Sequence, residues 1–125
     1  MLLVRQHRPA VGSSPLELPA GLIDPGEQPI DTARRELEEE TGYLARRIEP
    51  LVRFYTSPGF TDELIHIFAA TELVRTAVRL EDEEEIDLVQ MPLAAALELV
   101  LNGELSDAKT VAGLLAYERL IARRP

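Results

Sequence analysis

The sequence predicts an α/β (α+β) domain, with helices packed as a sandwich on a mixed β-sheet. Three observations carry that expectation. Short apolar runs with strand character lie at residues 2–6, 46–56, 64–69 and 86–91, spread along the chain. Helix starts and stops frame three other segments: Pro29 to Gly42, Pro92 to about Leu101, and Ser106 to near Arg123. The resulting order of strand, helix, strands and two helices belongs to a layered arrangement rather than to a bundle.

The chain opens on the apolar run LLVRQ, read as a first strand, and residues 9–15 form a loop broken by Gly12, Ser13 and Ser14. Residues 16–19 are a short strand, and Asp24-Pro25-Gly26 is a turn by composition. Pro29 opens a helix because its missing N–H has no partner to lose there. Ile30, Ala33 and Leu37 form its apolar stripe, Glu38 points elsewhere, and Gly42 ends it. Ile48, Leu51, Val52, Phe54 and Tyr55 mark the next strand, which stops at Ser57-Pro58-Gly59. LIHIFA alternates around His66 as a further strand. An acidic loop at residues 81–85 precedes the last strand. Asn102-Gly103 stop the second helix, and Ser106 is the expected N-cap of the third.

With 125 residues the chain makes one domain, and its 46% hydrophobic and 28% charged content is that of a soluble globular protein. The net charge of −9 argues against a nucleic-acid polymer or an anionic membrane as partner. With no cysteine in the chain, disulfides, thiolate metal sites and cysteine nucleophiles are excluded. MLLV is too short for a signal-peptide core, and no apolar run approaches the roughly 20 residues of a membrane span. A cytoplasmic location is the default.

The segment GLIDPGEQPIDTARRELEEETGY, Gly21 to Tyr43, carries the chemistry. At helical spacing Glu36, Glu39 and Glu40 (i, i+3, i+4) share one face. Like charges so placed repel, and a hard divalent cation that takes carboxylate and phosphate oxygens removes the penalty. Arg35 can hold a carboxylate in a bidentate pair, and Glu27 can reach the same face from the preceding loop.

The segment matches the Nudix box, G-x5-E-x7-R-E-U-x-E-E-x-G-U with U apolar, through Gly21, Glu27, Arg35, Glu36, Leu37, Glu39, Glu40, Gly42 and Tyr43. At ordinary residue frequencies such a match arises by chance less than roughly once in 10⁷ starting points. The resemblance implies an α/β/α sandwich with the box as loop-helix-loop, and Mg²⁺ (or Mn²⁺) as cofactor. It also implies hydrolysis of a nucleoside diphosphate derivative. Glu36 and Glu40 are the expected main metal ligands, with Glu39 sharing or supporting one ion and Arg35 orienting the cluster.

A narrower resemblance covers more of the chain. VRQHRP, LELPAG, SPGFTDE and the closing NGELSDAKTVAGLLAY are similar to the ADP-ribose pyrophosphatase branch, where a proline follows the box as Pro58 does here. That branch implies cleavage of ADP-ribose to AMP and ribose 5-phosphate by a homodimer. It implies an arginine near the diphosphate at Arg8, a pocket-lining Glu17, a backbone metal ligand at the Ala20 carbonyl, and Pro58 and Phe60 at the adenosine or ribose end. Glu84 matches the branch's catalytic loop glutamate. From the residues alone, Glu84 is preferred over Asp82, Glu83 and Glu85 as proton acceptor, the rest of that loop being a solvated run. His66 reads as structural, and His7 as a weaker candidate for substrate contact. Members of the branch usually carry several dozen residues ahead of the VRQ strand. The expected single domain at 1–125 therefore lacks that segment, with consequences for adenosine affinity and dimer geometry.

Replacing Glu84 with Gln is expected to lower kcat more than replacing Glu83 with Gln. The reverse order in steady-state assays would move the base by one position.

Overall fold

A computed structural model describes residues 1–76 and 86–125. Leu3 and Val4, both fully buried, lie in strand β1 (Leu2–Arg5), the centre of a three-stranded sheet. Its neighbours are β2 (Leu16–Glu17), with Val4 opposite Glu17, and β5 (Asp87–Gln90), with Leu3 opposite Val89. The second sheet is a long hairpin of β3 (Tyr43–Tyr55) and β4 (Leu64–Arg75), paired from Tyr43↔Arg75 to Tyr55↔Leu64. Its register shifts between Pro50 and Val52, where a proline has no N–H to give to a ladder. The hairpin closes through Thr56 N–H donating to the Glu63 carbonyl at 3.1 Å.

These strands depart from expectation in two ways. Every pairing among the described residues is antiparallel, in place of the mixed sheet: β1–β2 and β3–β4 join strands that run back through a connecting loop, and β5, much later in the chain, runs opposite to β1. The hairpin strands also outrun the predicted 46–56 and 64–69. Ala45 and Ala70 have little strand preference of their own, and pairing with Leu73 and Ile48 across the hairpin holds them.

Helix α1 (Pro29–Thr41) begins on its proline and ends at Gly42, whose φ of 74° puts it in the left-handed region while its N–H donates to the Glu38 carbonyl at 2.8 Å. Of the predicted stripe only Leu37 is buried, with Ile30 and Ala33 half-buried, whereas Thr32, Glu40 and Thr41 are buried as well. The residues that precede the helix explain this. They cover its polar flank and bond to it, as Ala20 does to Glu40 and Glu27 does to Thr32.

Helices α2 (Leu93–Leu101) and α3 (Ala108–Ala122) pack on each other; α3 also packs on β2, β3 and β4, and α1 packs on β3 and β4. Asn102 caps α2 as expected. The N-cap of α3 is Asp107 rather than Ser106: its Oδ2 accepts from the Thr110 N–H at 3.2 Å and the Thr110 hydroxyl at 2.6 Å. A cap must sit three residues before the amide it satisfies, and Ser106 stands one residue too far out. The core is Leu3, Leu16, Ala96, Leu105 and Leu114, with Leu18, Val89 and Met91 packed against it. Among the described residues no helix is long and apolar enough to cross a membrane.

Leu114 is fully buried in α3. Leu114→Ala is expected to cost about 2–5 kcal/mol of folding free energy, read as a lower denaturation midpoint at an unchanged slope.

Candidate active site

The stretch from Glu17 to Gly21 runs between α3 and α1 and is anchored at almost every residue. The Glu17 carboxylate takes Arg8 and Lys109; the Leu18 N–H donates to the Thr110 hydroxyl at 2.9 Å; the Ala20 N–H donates to Glu40 Oε2 at 3.0 Å. At Gly21 the backbone passes so close to α1 that a Cβ there would overlap the Glu36 carboxyl group. Any larger residue there would push the Glu36 carboxyl group away from the backbone. Glu40 is buried and Glu36 is mostly buried, so two carboxylates one turn apart meet the Ala20-Gly21 backbone.

Arg35 is the hub of the loop-helix-loop. Its Nε and Nη2 donate to Glu27 at 2.9 and 3.0 Å, Nη1 donates to Glu36 at 2.8 Å and to Glu39 at 3.2 Å, and Nη2 also reaches the Leu22 carbonyl at 3.3 Å. Asp24 lies 3.3 Å from Nη2. One guanidinium thus gathers four carboxylates. Glu27 also accepts from the Thr32 hydroxyl at 2.6 Å and the Asp24 N–H at 3.1 Å, closing the turn at Asp24 to Glu27. These contacts, Arg35's first, hold the Glu27 carboxyl down to about 2, and Glu27 in turn raises the Arg35 guanidinium above its ordinary value.

A second polar network stands at the β2–α3 end. Arg8 forks onto Glu17, Nε to Oε2 at 2.8 Å and Nη2 to Oε1 at 3.1 Å. Lys109 donates to Glu17 Oε1 at 2.6 Å and to Asp107 Oδ2 at 3.0 Å. Burial pushes the Glu17 carboxyl up, but the hydrogen bonds from Arg8 and then Lys109 outweigh it and leave it below its usual value. Asp107, Lys109 and Thr110 escaped the sequence reading as site residues. The signal available was the D-x-K-T spacing at a helix start, where a capping aspartate turns the next side chains towards one end of the helix.

Arg8, Ala20, Gly21, Glu36, Glu40 and Lys109 line one cavity of about 1620 Å³, with Thr56, Glu63 and His66 also on its wall. The expected residues do not all converge on it. Glu39 is half-exposed and bound to Arg35. Pro58 and Phe60 are exposed on the β3–β4 turn and do not line the cavity, and His7 is exposed on the loop after β1. Glu84, with the rest of the acidic loop, lies outside the described residues.

Among the described residues no three His, Asp or Glu side chains converge in a shape that would hold a metal ion. Arg35 draws Glu27, Glu36 and Glu39 onto its own charge, and Glu40 is turned to the Ala20 N–H. The donor set nevertheless fits a hard cation. Carboxylates of Glu36 and Glu40 flank a backbone kept bare by Gly21, on the wall of a cavity that also holds Arg8.

An α+β domain with an acidic helix clasped between two loops is the class of protein that fold and site define. Residues 1–114 match the NUDIX domain, and the chain belongs to the Nudix family. It is 43% identical over 112 residues to the ADP-ribose pyrophosphatase of Bacillus subtilis (strain 168), covering 88% of this chain and 60% of that protein. It is 42% identical over 113 residues to the methanol dehydrogenase activator of Bacillus methanolicus, covering 89% of this chain and 61% of that one. A crystal structure of an ADP compounds hydrolase superposes with a TM-score of 0.87 at 27% identity, covering 97% of this chain and 65% of its own. The chain therefore spans about 60% of the length of these two curated relatives.

Glu27 ties the site's electrostatics to stability. A carboxyl held below its ordinary 4.5 stabilises the fold above that pH and loses the contribution as pH falls towards 2. The loss of Tm in Glu27→Gln is therefore expected in full near neutrality and to shrink progressively below about pH 4.5. A Tm difference that stays constant down to pH 2 would contradict the Arg35 pairing.

Proposed function

We propose that this chain carries a divalent-metal-dependent hydrolysis of the diphosphate of ADP-ribose, giving AMP and ribose 5-phosphate. The observation that carries the reading is the pair Glu36 and Glu40 set against the Ala20-Gly21 backbone, on the same cavity wall as Arg8. The 43% identity to an ADP-ribose pyrophosphatase supports the choice of substrate.

Water adds to one phosphorus of the diphosphate, the bridging P–O bond breaks, and the proton of the water passes to a carboxylate, for which Glu84 is our candidate. Glu36 and Glu40, with Glu39 and the Ala20 carbonyl, are the proposed ligands of Mg²⁺ (or Mn²⁺). When bound, that ion neutralises phosphate charge and lowers the pKa of water. Arg35 and Glu27 hold the helix carboxylates and the Asp24 to Glu27 turn in register. Arg8 meets the anionic diphosphate, and Glu17 holds Arg8. Pro58 and Phe60 are proposed to shape the adenosine or ribose end from the hairpin turn. In this reading the enzyme is a cytoplasmic homodimer acting on a small nucleotide, with no nucleic-acid polymer and no membrane as partner.

Incubation with ADP-ribose and Mg²⁺ in ¹⁸O-labelled water is expected to yield AMP and ribose 5-phosphate, with the label showing which phosphorus is attacked. A chelator should abolish turnover. ADP-ribose bound but left intact with Mg²⁺ present would overturn the catalytic reading in favour of a sensor. Turnover only of a dinucleotide cofactor or a nucleotide sugar would replace the substrate. Glu40→Gln keeps an oxygen to accept from the Ala20 N–H, so it is expected to fold normally by circular dichroism while kcat falls by several orders of magnitude. Normal turnover of that variant with unchanged Mg²⁺ dependence would remove Glu40 from the ligand set.

A further inference from the structure

Lys109 stands outside the acidic helix motif, yet it is built into the cavity wall. Its side chain is 17% exposed and its ammonium touches two carboxylates, Glu17 at 2.6 Å and Asp107 at 3.0 Å. Asp107 is immobilised by its own work as the cap of α3. Glu17 is almost wholly buried in β2, opposite Val4 of the central strand. Lys109 therefore joins two rigid elements at one carboxylate oxygen, Glu17 Oε1, and Arg8 Nη2 donates to that same atom at 3.1 Å.

Arg8 needs such support. Its backbone lies on the loop after β1, held by a single bridge to Ser13 and the turn around it, and its side chain is 46% exposed. An arginine in that setting samples many rotamers, and ordering it when substrate arrives costs affinity. A guanidinium already forked onto a buried, immobile carboxylate has met that cost beforehand. The four charged groups Arg8, Lys109, Glu17 and Asp107 sum to zero, so the buried Glu17 is compensated from two sides. Removing Lys109 leaves Arg8 as the one cation in the set and frees Glu17 to shift with it.

Resting on the proposed diphosphate chemistry, we infer that Lys109 is a positioning residue: through Glu17 it fixes the Arg8 guanidinium at the cavity wall, where it receives an anionic substrate group. Two other roles would look different. A lysine that only braces the fold changes stability and leaves substrate parameters alone. A lysine that grips the phosphate itself acts in addition to Arg8.

The full chain with Lys109→Met, Lys109→Arg, Arg8→Ala and the Arg8→Ala/Lys109→Met double variant separates these cases. Lys109→Met and Arg8→Ala are each expected to raise KM for ADP-ribose about tenfold, the factor of one charge-assisted hydrogen bond, with kcat changed much less. The double variant should be no worse than Arg8→Ala alone, because both substitutions remove the same contact. Lys109→Arg should recover most of the loss. Multiplicative effects in the double variant, or a lower Tm with unchanged KM, would overturn the inference. A second readout needs no substrate: solvent exchange of the Arg8 Nε–H, followed by NMR in the ligand-free protein, should speed up several-fold in Lys109→Met. Unchanged exchange would also overturn it. Faster exchange in a chain whose wild type does not turn over ADP-ribose would support the positioning role and overturn the substrate assignment.

Discussion

The site depends on one five-residue stretch of backbone, Glu17 to Gly21, being held at both ends of the cavity at once. On one side Thr110, at the start of α3, takes the Leu18 N–H, and Lys109 takes the Glu17 side chain. On the other, Glu40 takes the Ala20 N–H, and Gly21 lets Glu36 in against the chain. Both N–H groups are partly withdrawn from water, where losing the acceptor carries a cost, so these two bonds resist displacement of the stretch. The stretch cannot move towards one helix without losing partners on the other. The distance between the carboxylates of α1 and the cations Arg8 and Lys109 is consequently a property of the fold rather than of flexible side chains.

Charge is managed by the same economy. A helix that places Glu36, Glu39 and Glu40 within a turn would repel itself. Arg35 answers through Nη1, which reaches Glu36 and Glu39, while Glu27 locks the guanidinium from the loop through Nε and Nη2, and Glu40 turns to the Ala20 N–H. At the opposite end a single buried carboxylate, Glu17, serves two cations. The two networks are mirror images in sign: four acids around one base, and two bases on one acid. Together they set the Glu36 and Glu40 carboxylates and the Arg8 and Lys109 cations on one cavity. A phosphate bearing a hard cation presents that complement, which is why the arrangement suits a metal-bound diphosphate.

Much of this was legible in the sequence, for physical reasons that differ by residue. α1 was readable at both ends because Pro29 and Gly42 punctuate the backbone regardless of surroundings. The partnership of Glu27, Arg35, Glu36 and Glu39 is local, spanning one turn and one helix start, and local chemistry is written in spacing. The buried strand centres, such as Leu3-Val4, announced themselves by apolar content. The strand extensions through Ala45 and Ala70 did not, because pairing with Leu73 and Ile48 and not propensity holds them. Ser106 and Asp107 are both good caps by residue type, and only the helix register tells them apart.

What the sequence determined by itself was therefore the acidic helix, its caps, its arginine and the family to which they belong. These depend on neighbours a few residues away. Only the tertiary structure decided that Glu40 is buried against Ala20, that the described strands pair antiparallel in two sheets, and that Lys109 and Thr110 reach Glu17 and Leu18 across 92 residues of sequence. Contacts of that range have no periodicity to betray them. They exist because packing Leu114 and Leu16 into one core brings the start of α3 against β2, and the polar side chains beside them must then find partners there.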